Sequence, residues 1–161
     1  MSPALERWAW VGHCYAMAYW RLHYHLVWTT YRREPLIDPS CEALIHQCLY
    51  GKAKELGILI HAVGNVEDHV HVVASFPPRL SVADCVGKLK GASSHRVNRE
   101  AGQRAFRWQG GYGALSLGER SLSTIIAYVR NQREHHGAGR PVAIYERCTE
   151  EDDGVALASH E

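Results

Sequence analysis

The chain has 161 residues, 46% of them hydrophobic, which is enough for one compact core and gives no indication of a second full domain. Its 18 basic and 17 acidic residues leave a net charge of +1, so affinity for nucleic acid would have to come from local clusters of charge. Five cysteines form an odd set without a Cys-x-x-Cys pair, which argues against a disulfide framework and a cysteine-based zinc site. No apolar run approaches the ~18 residues that cross a bilayer, and no export signal is present. We therefore expect a cytoplasmic protein with no membrane partner.

The first clear element is a half-buried strand that follows an uncertain lead-in over residues 1–18. Its apolar side chains occupy alternate positions, as a strand with one buried face requires: Leu22, Tyr24, Leu26 and Trp28. A helix is predicted next, with Ser40 as its N-cap and Gly57 at its C-terminal end. Its apolar residues recur at helical spacing: Cys41, Leu44, Ile45, Cys48 and Leu49.

The remaining elements complete one layered domain. Strands over residues 58–66 and 69–76 flank a short break and predict a hairpin. Ser81 and Asp84 resemble a capping box before a second helix, and a glycine-rich loop then leads to a strand over residues 112–117. Ser121 or Ser123 is expected to cap a final helix that runs to about residue 136. This order predicts an α+β fold, a single ferredoxin-like domain with a mainly antiparallel sheet and helices packed on it.

Two histidines in the predicted hairpin form a candidate metal site. Because side chains alternate between the faces of a strand, His69 and His71 project to the same side and can supply two ligands from one rigid element. The alternative is that both are polar residues on a solvated face.

A tyrosine on the final helix is a candidate nucleophile. Tyr128 and Gln132 are four residues apart on one helix face, and Tyr128 falls about 110° from the centre of the predicted apolar stripe. The amide oxygen of Gln132 together with two histidines would leave coordination positions open for phosphate oxygens, which suits Mn²⁺ or Mg²⁺. The alternative is a boundary tyrosine with no catalytic role. His135 and His136 continue nearly the same face, and their roles stay open.

Charge clusters at two places in the second half of the chain. Six basic residues between residues 88 and 107 face a single acid and predict phosphate contacts, and Trp108 after them could stack on an unpaired base. The basic residues are Lys88, Lys90, Arg96, Arg99, Arg104 and Arg107. The alternatives are a solvated face for the basic residues and a core position for Trp108. The acidic residues from 146 onward predict a solvated tail, placed within residues 137–161, that could be disordered.

Four segments occur in an order that resembles one known family. They read DHVHVV at 68–73, SVADCVGKLKGASSH at 81–95, FRWQGGYGALS at 106–116 and YVRNQREHH at 128–136. Together they resemble the single-tyrosine HUH transposases, in particular the REP-associated tyrosine transposase branch. The resemblance runs through residues 19–136, and neither the lead-in nor the residues after Arg140 match the pattern.

The resemblance implies an enzyme that cuts and rejoins single-stranded DNA. Tyr128 takes the position of the nucleophile, and His69, His71 and Gln132 take the positions of the ligands of a divalent metal, Mg²⁺ or Mn²⁺. The resemblance further implies a 5′-phosphotyrosine intermediate, recognition of a DNA hairpin beside the cleavage site, and a homodimer that can share its active sites. Such an enzyme would act in the bacterial cytoplasm and associate with the nucleoid through its DNA.

Two rival functions remain at this point. The chain could be a domesticated hairpin-binding protein that no longer transposes its own gene, because the sequence of the chain does not reveal what flanks that gene. It could also be a metal-dependent hydrolase that uses water, since His-x-His strands occur in barrel hydrolases. Length disfavours the hydrolase, because a (β/α)₈ barrel needs about 250 residues.

Overall fold

A computed structural model of the chain describes residues 19–101 and 106–149, so the predicted lead-in, Arg104 and residues 150–161 lie outside the described residues. The strands and helices are β1 (His23–Thr29), α1 (Pro39–Leu56), β2 (Leu59–Asn65), β3 (His69–Ser75), α2 (Val82–Glu100), β4 (Gly113–Leu117), α3 (Glu119–Arg130) and α4 (Gln132–Gly137). Short 3₁₀ turns occur at Tyr31–Arg33 and Ala143–Tyr145. None of the described helices is both long and apolar enough to cross a membrane.

The four strands form one antiparallel sheet in the order β2-β3-β1-β4. Strand β1 lies inside the sheet and pairs with β3 on one side and β4 on the other. With one helix between β1 and β2 and another between β3 and β4, this is the ferredoxin-like arrangement. The predicted α+β fold is therefore confirmed, including the hairpin of β2 and β3.

One face of the sheet carries the main apolar core. Leu26 and Trp28 on β1 and Val70 and Val72 on β3 are fully buried against α1 and α2. The two helices cover this face with residues that include Ile45, Leu49, Val86 and Leu89. Burial of each such large apolar side chain contributes roughly 1.5–3 kcal/mol, so this face supplies most of the hydrophobic stabilisation.

The opposite face of the sheet is also covered, which the prediction of a half-buried β1 missed. Helix α3 packs here through Ile125 and Val129 against Val73 and its neighbours. The close approach depends on Gly64 in β2, since a Cβ at that position would lie 1.9 Å from the carbonyl oxygen of Val129. Residues on this face of β1, such as Val27, are therefore buried as fully as those on the main core face.

Two predicted helix starts were wrong. Helix α1 is capped by Asp38 rather than Ser40, because Asp38 Oδ1 accepts hydrogen bonds from the backbone N–H groups of Ser40 (2.8 Å) and Cys41 (3.0 Å). The carboxylate satisfies two helix N–H groups, and Pro39 fits the first helical position. The predicted C-terminal stop at Gly57 is confirmed by its left-handed φ of 75°.

The final helix starts earlier than predicted and is divided in two. Gly118 is its N-cap and makes no side-chain capping bond, so neither predicted serine caps it. The helical conformation breaks at Asn131, where φ is −101° and ψ is 22°, and α4 follows directly. Asn131 N–H still bonds back to the carbonyls of Ala127 and Tyr128, which keeps the two helices close together.

The expectation of a solvated tail within residues 137–161 stays a prediction as a whole. Most of residues 138–149, which we call the C-terminal segment, are exposed, whereas Tyr145, Glu146 and Cys148 are partly buried. This segment returns across the sheet face that α3 covers. A Cβ at Gly113 would lie 1.9 Å from the carbonyl oxygen of Arg147, and a Cβ at Gly111 would lie 1.9 Å from that of Thr149. The backbone of the segment packs directly on glycines of β4 and of the loop before it, and composition alone does not reveal such a contact.

Candidate active site

The two predicted histidines lie side by side on the face of β3 that is opposite the main core. His69 and His71 are 2% and 0% exposed, which excludes the alternative of a solvated face. Each ring is held through Nδ1, His69 by Asp68 Oδ1 at 2.5 Å and His71 by His25 Nε2 at 2.8 Å. Both Nε2 atoms consequently point inward to the same space. Outer partners of this kind fix ring orientation and tautomer in histidines that bind metals.

Gln132, the first residue of α4, brings its amide to the same space. Its Nε2 lies 3.2 Å from His69 Nε2, 2.9 Å from His71 Nε2 and 3.0 Å from Glu146 Oε1. An amide nitrogen has two hydrogens for these three neighbours. Gln132 is 1% exposed, and no donor among the described residues reaches its Oε1. Rotation of the amide by half a turn exchanges its two ends and brings the oxygen to the point where the Nε2 atoms converge.

Tyr128 completes the predicted constellation. Its ring lies 6.3 Å from that of His71, so one chain alone brings the tyrosine to its own histidines. The hydroxyl donates to Glu146 Oε1 at 2.5 Å and accepts from the N–H of Val142 at 3.1 Å. Burial, and next the Glu146 hydrogen bond, raise the pKa of Tyr128 to about 12. Tyr128 is 7% exposed because residues 142–146 cover the side that α3 leaves open.

Glu146 is a residue of this site that sequence reasoning missed. Its Oε2 lies 3.1 Å from His69 Nε2 and 3.2 Å from His71 Nε2, and its Oε1 accepts the Tyr128 hydroxyl. Burial by itself would raise the pKa of Glu146, but hydrogen bonds from the two histidines outweigh burial and hold the pKa well below its usual range. No signal in the sequence distinguishes this glutamate from the acidic residues that follow it.

His25 was also missed, although the sequence held a signal for it. His23 and His25 repeat the His-x-His spacing of β3 on a strand predicted to pair in the same sheet. The His25 ring stacks on that of His71 at 5.0 Å. Burial and the neighbouring His71 lower the pKa of His25 to about 3, so this ring is neutral. Burial likewise lowers the pKa of His71, which favours the neutral form that binds metals.

The last two histidines of α4, whose roles were open, reach the site differently. His135 stacks on the Tyr128 ring at 4.7 Å, with an interplanar angle of 19°. His136 Nε2 lies 3.5 Å from Glu146 Oε2. Ligand atoms of His69, His136 and Glu146 all lie within 4.8 Å of one another, and this group could hold a metal ion.

Helix α2 carries its basic residues on the side of the sheet opposite the histidines. Lys88 and Arg99 are exposed, while Arg96 and Arg99 share the carboxylate of Glu100. Lys90 instead donates to the carbonyl oxygens of Gly110 and Gly111 and holds that loop. Within one chain, the basic residues of α2 therefore do not adjoin Tyr128.

Trp108 occupies a core position, which favours the alternative to the predicted stacking role. Trp108 is 8% exposed, its Nε1 donates to Ser93 Oγ at 3.0 Å, and its ring packs edge-on against Trp28 and Phe106. Little of the ring is therefore open to an unpaired base in this structure. Arg107 next to it is exposed, and its guanidinium lies 3.3 Å from the centre of the Tyr31 ring.

A family profile described as "Transposase IS200 like" matches residues 18–132. The chain belongs to this family of transposases. Among named relatives, ISDra2 transposase TnpA of Deinococcus radiodurans is 28% identical over 122 residues, which are 71% of this chain and 86% of the relative. The transposase for insertion sequence element IS200 of Salmonella typhimurium is 26% identical over 132 residues, 78% of this chain and 86% of the relative.

Solved structures agree with membership in the IS200-like family. A candidate transposase from Deinococcus radiodurans R1 has a TM-score of 0.57 at 27% identity, covering 72% of this chain and 95% of that protein. A REP-associated tyrosine transposase bound to a REP hairpin has a TM-score of 0.59 at 12% identity, covering 75% of each chain. At 12% identity the likeness shows a shared fold. Glu146 lies beyond the residues that the IS200-like profile matches.

Proposed function

We propose that this transposase cuts and rejoins single-stranded DNA with Tyr128 as its nucleophile and a divalent cation, Mg²⁺ or Mn²⁺, held by His69, His71 and Gln132. The observation that carries the proposal is the convergence of two imidazole Nε2 atoms and one amide beside the Tyr128 hydroxyl. Relatives named as transposases support this class of reaction. Because one fold can occur with many different functions, the proposal depends on the residues of the site.

The side chains around this point fit a divalent cation. Burial lowers the pKa of His71, both rings are held through their outer nitrogens, and Gln132 Oε1 has no donor among the described residues. Two imidazoles and an amide oxygen leave other coordination positions free for phosphate oxygens. When bound, such a cation would offset negative charge on the phosphate and polarise its phosphorus.

In the proposed reaction the Tyr128 oxygen attacks a backbone phosphorus. The bond from phosphorus to the 3′ oxygen of the preceding nucleotide breaks, and that oxygen takes up a proton and leaves as a 3′-hydroxyl. The proton that the Tyr128 hydroxyl loses balances the one that the leaving oxygen takes up, and the DNA stays attached as a 5′-phosphotyrosine. A 3′-hydroxyl of another strand end can later attack this ester and restore free Tyr128. Because each step exchanges one phosphate ester for another, no nucleotide cofactor is needed.

We propose single-stranded DNA that carries a hairpin as the substrate. The support is the resemblance of the four segments to REP-associated transposases, together with the fold shared with a protein of that type that was solved on a REP hairpin. Exposed Lys88, Arg99 and Arg107 are the candidates for phosphate contacts. A homodimer that shares its active sites stays a prediction.

The test is a covalent-adduct assay. The protein is incubated with Mn²⁺ and labelled single-stranded hairpin DNA from its own genomic flanks, and the products are separated on a denaturing gel. We expect an adduct that requires Mn²⁺ and disappears in Tyr128→Phe. Tyr50→Phe is the matched control, because Tyr50 is exposed on α1 and should leave the adduct unchanged.

Two other results would contradict the proposal. Cleaved DNA without an adduct, produced equally by Tyr128→Phe, would indicate a hydrolase that uses water. Hairpin binding with neither cleavage nor adduct would indicate a domesticated DNA-binding protein.

A further inference from the structure

The C-terminal segment brings a carboxylate into the centre of the proposed metal site. We infer that Glu146 is a fourth ligand of the divalent cation, so that the cation is held by the sheet, α4 and the C-terminal segment together. This inference rests on the proposed function, because it assigns a further ligand to the cation proposed there. It concerns a residue beyond the segment that the family profile matches.

The position of the Glu146 carboxylate is the first argument. Oε2 is almost equidistant from the two Nε2 atoms, at 3.1 Å from His69 and 3.2 Å from His71. Oε1 lies 3.0 Å from the Gln132 amide nitrogen. The carboxylate thus faces the same space as the three predicted ligands. Two nitrogens, an amide and a carboxylate converge there from three different elements of the fold.

Charge is the second argument. Two imidazoles and an amide offer no negative charge to a cation, whereas Mg²⁺ and Mn²⁺ prefer oxygen ligands and are usually held by one or more carboxylates. Glu146 supplies that charge from within the site. A site with this fourth ligand can bind the cation before any DNA phosphate arrives.

The surroundings of Glu146 are the third argument. Its side chain is only 18% exposed, and a carboxylate that leaves water needs compensating positive charge. Within the part of the chain that the structure describes, the basic side chains found within 4.0 Å of it are the imidazole rings of His69, His71 and His136. No lysine or arginine in that part of the chain pairs with it. A divalent cation between the carboxylate and the histidines would supply positive charge to the carboxylate.

The segment is anchored on both sides of Glu146, which keeps the carboxylate in place. Before it, Val142 N–H donates to the Tyr128 hydroxyl, and the Tyr145 ring packs against those of Tyr128 at 5.1 Å and His25 at 5.7 Å. After it, the carbonyl of Arg147 lies against Gly113. A residue placed by this many contacts belongs to the site rather than to a solvated tail.

The two oxygens of the carboxylate then have separate partners. Oε2 faces the histidines and Oε1 accepts the Tyr128 hydroxyl, so the ligand that reaches toward the cation also orients the nucleophile. Removal of the Glu146 carboxylate should consequently weaken cation binding in the absence of DNA.

The direct test is titration of the full-length protein with Mn²⁺ by isothermal calorimetry, without DNA. Glu146→Gln keeps the shape of the side chain and removes its charge, and we expect at least about a tenfold increase in Kd for Mn²⁺. Glu134→Gln, an exposed residue on α4, is the control for the same change of charge. It should bind Mn²⁺ as the unaltered protein does. Unchanged or tighter binding in Glu146→Gln would overturn the inference and indicate that Glu146 only plugs the site.

A second measurement does not depend on any substitution. Amide hydrogen exchange in residues 142–149 of the unaltered protein should slow when Mn²⁺ is added, because the cation would tie the segment to β3 and α4. Exchange that Mn²⁺ leaves unchanged would overturn the inference even if Glu146→Gln failed to fold. Failure of the proposed function would give different results. If the unaltered protein did not bind Mn²⁺, the proposed metal site would be contradicted. If the adduct still formed in Tyr128→Phe, the proposed nucleophile would be contradicted.

Discussion

The two faces of the sheet are built from the same strands and perform opposite tasks. Trp28 and Val70 face α1 and α2 in an almost entirely apolar core, whereas His25, His69 and His71 face α3 and the C-terminal segment in a buried polar cluster. On the apolar face, stability depends mainly on the volume of the buried side chains and less on the angle at which each side chain lies. The histidine face depends on hydrogen bonds that hold each ring at a particular angle. Because successive side chains of a strand point to opposite faces, neighbouring residues of one strand can belong to the core and to the polar cluster.

Among substitutions that separate the two faces, we expect the largest effect on stability from Trp28→Ala. This change empties a large volume in the middle of the apolar face and should lower the free energy of unfolding by about 3–5 kcal/mol. Urea denaturation followed by circular dichroism measures the loss. A loss below about 1 kcal/mol would mean that the apolar face does not supply most of the stability.

A smaller effect, confined to the histidine face, is expected from Asp68→Asn. Asp68 Oδ1 holds His69 Nδ1 at 2.5 Å, and loss of its charge should weaken Mn²⁺ binding by roughly 10–100-fold. Stability should change little, because an asparagine oxygen can still accept the hydrogen bond from His69 Nδ1 and the exposed ion pair of Asp68 with Arg33 contributes about 0–1 kcal/mol. Calorimetric titration with Mn²⁺ and urea denaturation separate the two quantities. Asp84→Asn, exposed on α2, is the control, and equal Mn²⁺ affinity in both variants would show that Asp68 does not position the ring.

Gly64→Ala tests how closely α3 must approach the sheet. The new Cβ would meet the carbonyl of Val129, so α3 must shift, at a cost of about 1–3 kcal/mol in stability and with a slower rate of adduct formation by Tyr128. Gly51→Ala is the matched control, because Gly51 lies in α1 with nothing within 4 Å of its Cβ position. That control should gain roughly 0.5–1 kcal/mol. Thermal unfolding of both variants decides the matter, and a Gly64→Ala protein as stable as the unaltered one would be incompatible with this packing.

The smallest effect is expected at the start of α1, far from the histidine cluster. Asp38→Ala removes the N-cap carboxylate and should cost about 1 kcal/mol, while Mn²⁺ binding stays unchanged. Ser40→Ala should cost less, since Ser40 was predicted to be the cap but is not. Urea midpoints of the two variants give the comparison. A larger loss of stability in Ser40→Ala than in Asp38→Ala would indicate that Ser40 is the N-cap.

The apolar face was predictable because it follows from periodicity. The alternation that includes Leu26 and Trp28 gave β1, and the His-x-His spacing gave the side to which His69 and His71 project. Tyr128 and Gln132 were found from helical spacing and the family resemblance, although they belong to successive helices separated by Asn131. Local patterns were sufficient wherever one element determines which residues share a face.

The remainder of the site could not be predicted, because it depends on contacts between segments distant in the sequence. Glu146 belongs to an acidic stretch whose composition indicates exposure, and only the return of the chain past Gly113 brings it to the histidines. Trp108 follows several arginines in the sequence, which suggested a base-stacking residue, but its Nε1 donates a hydrogen bond to Ser93 Oγ in the core. Composition describes the neighbours of a residue along the chain, whereas burial depends on its neighbours in space.

The packing of the C-terminal segment on Gly111 and Gly113 has a practical consequence for anyone who shortens the chain. A fragment cut at the end of the family match would keep His69, His71, Tyr128 and Gln132 but would lose the carboxylate that lies between them. It would also leave the Tyr128 ring and part of β4 bare to solvent. Assays on such a fragment would therefore measure a site without Glu146. The same would hold for a fusion protein that contains the fragment.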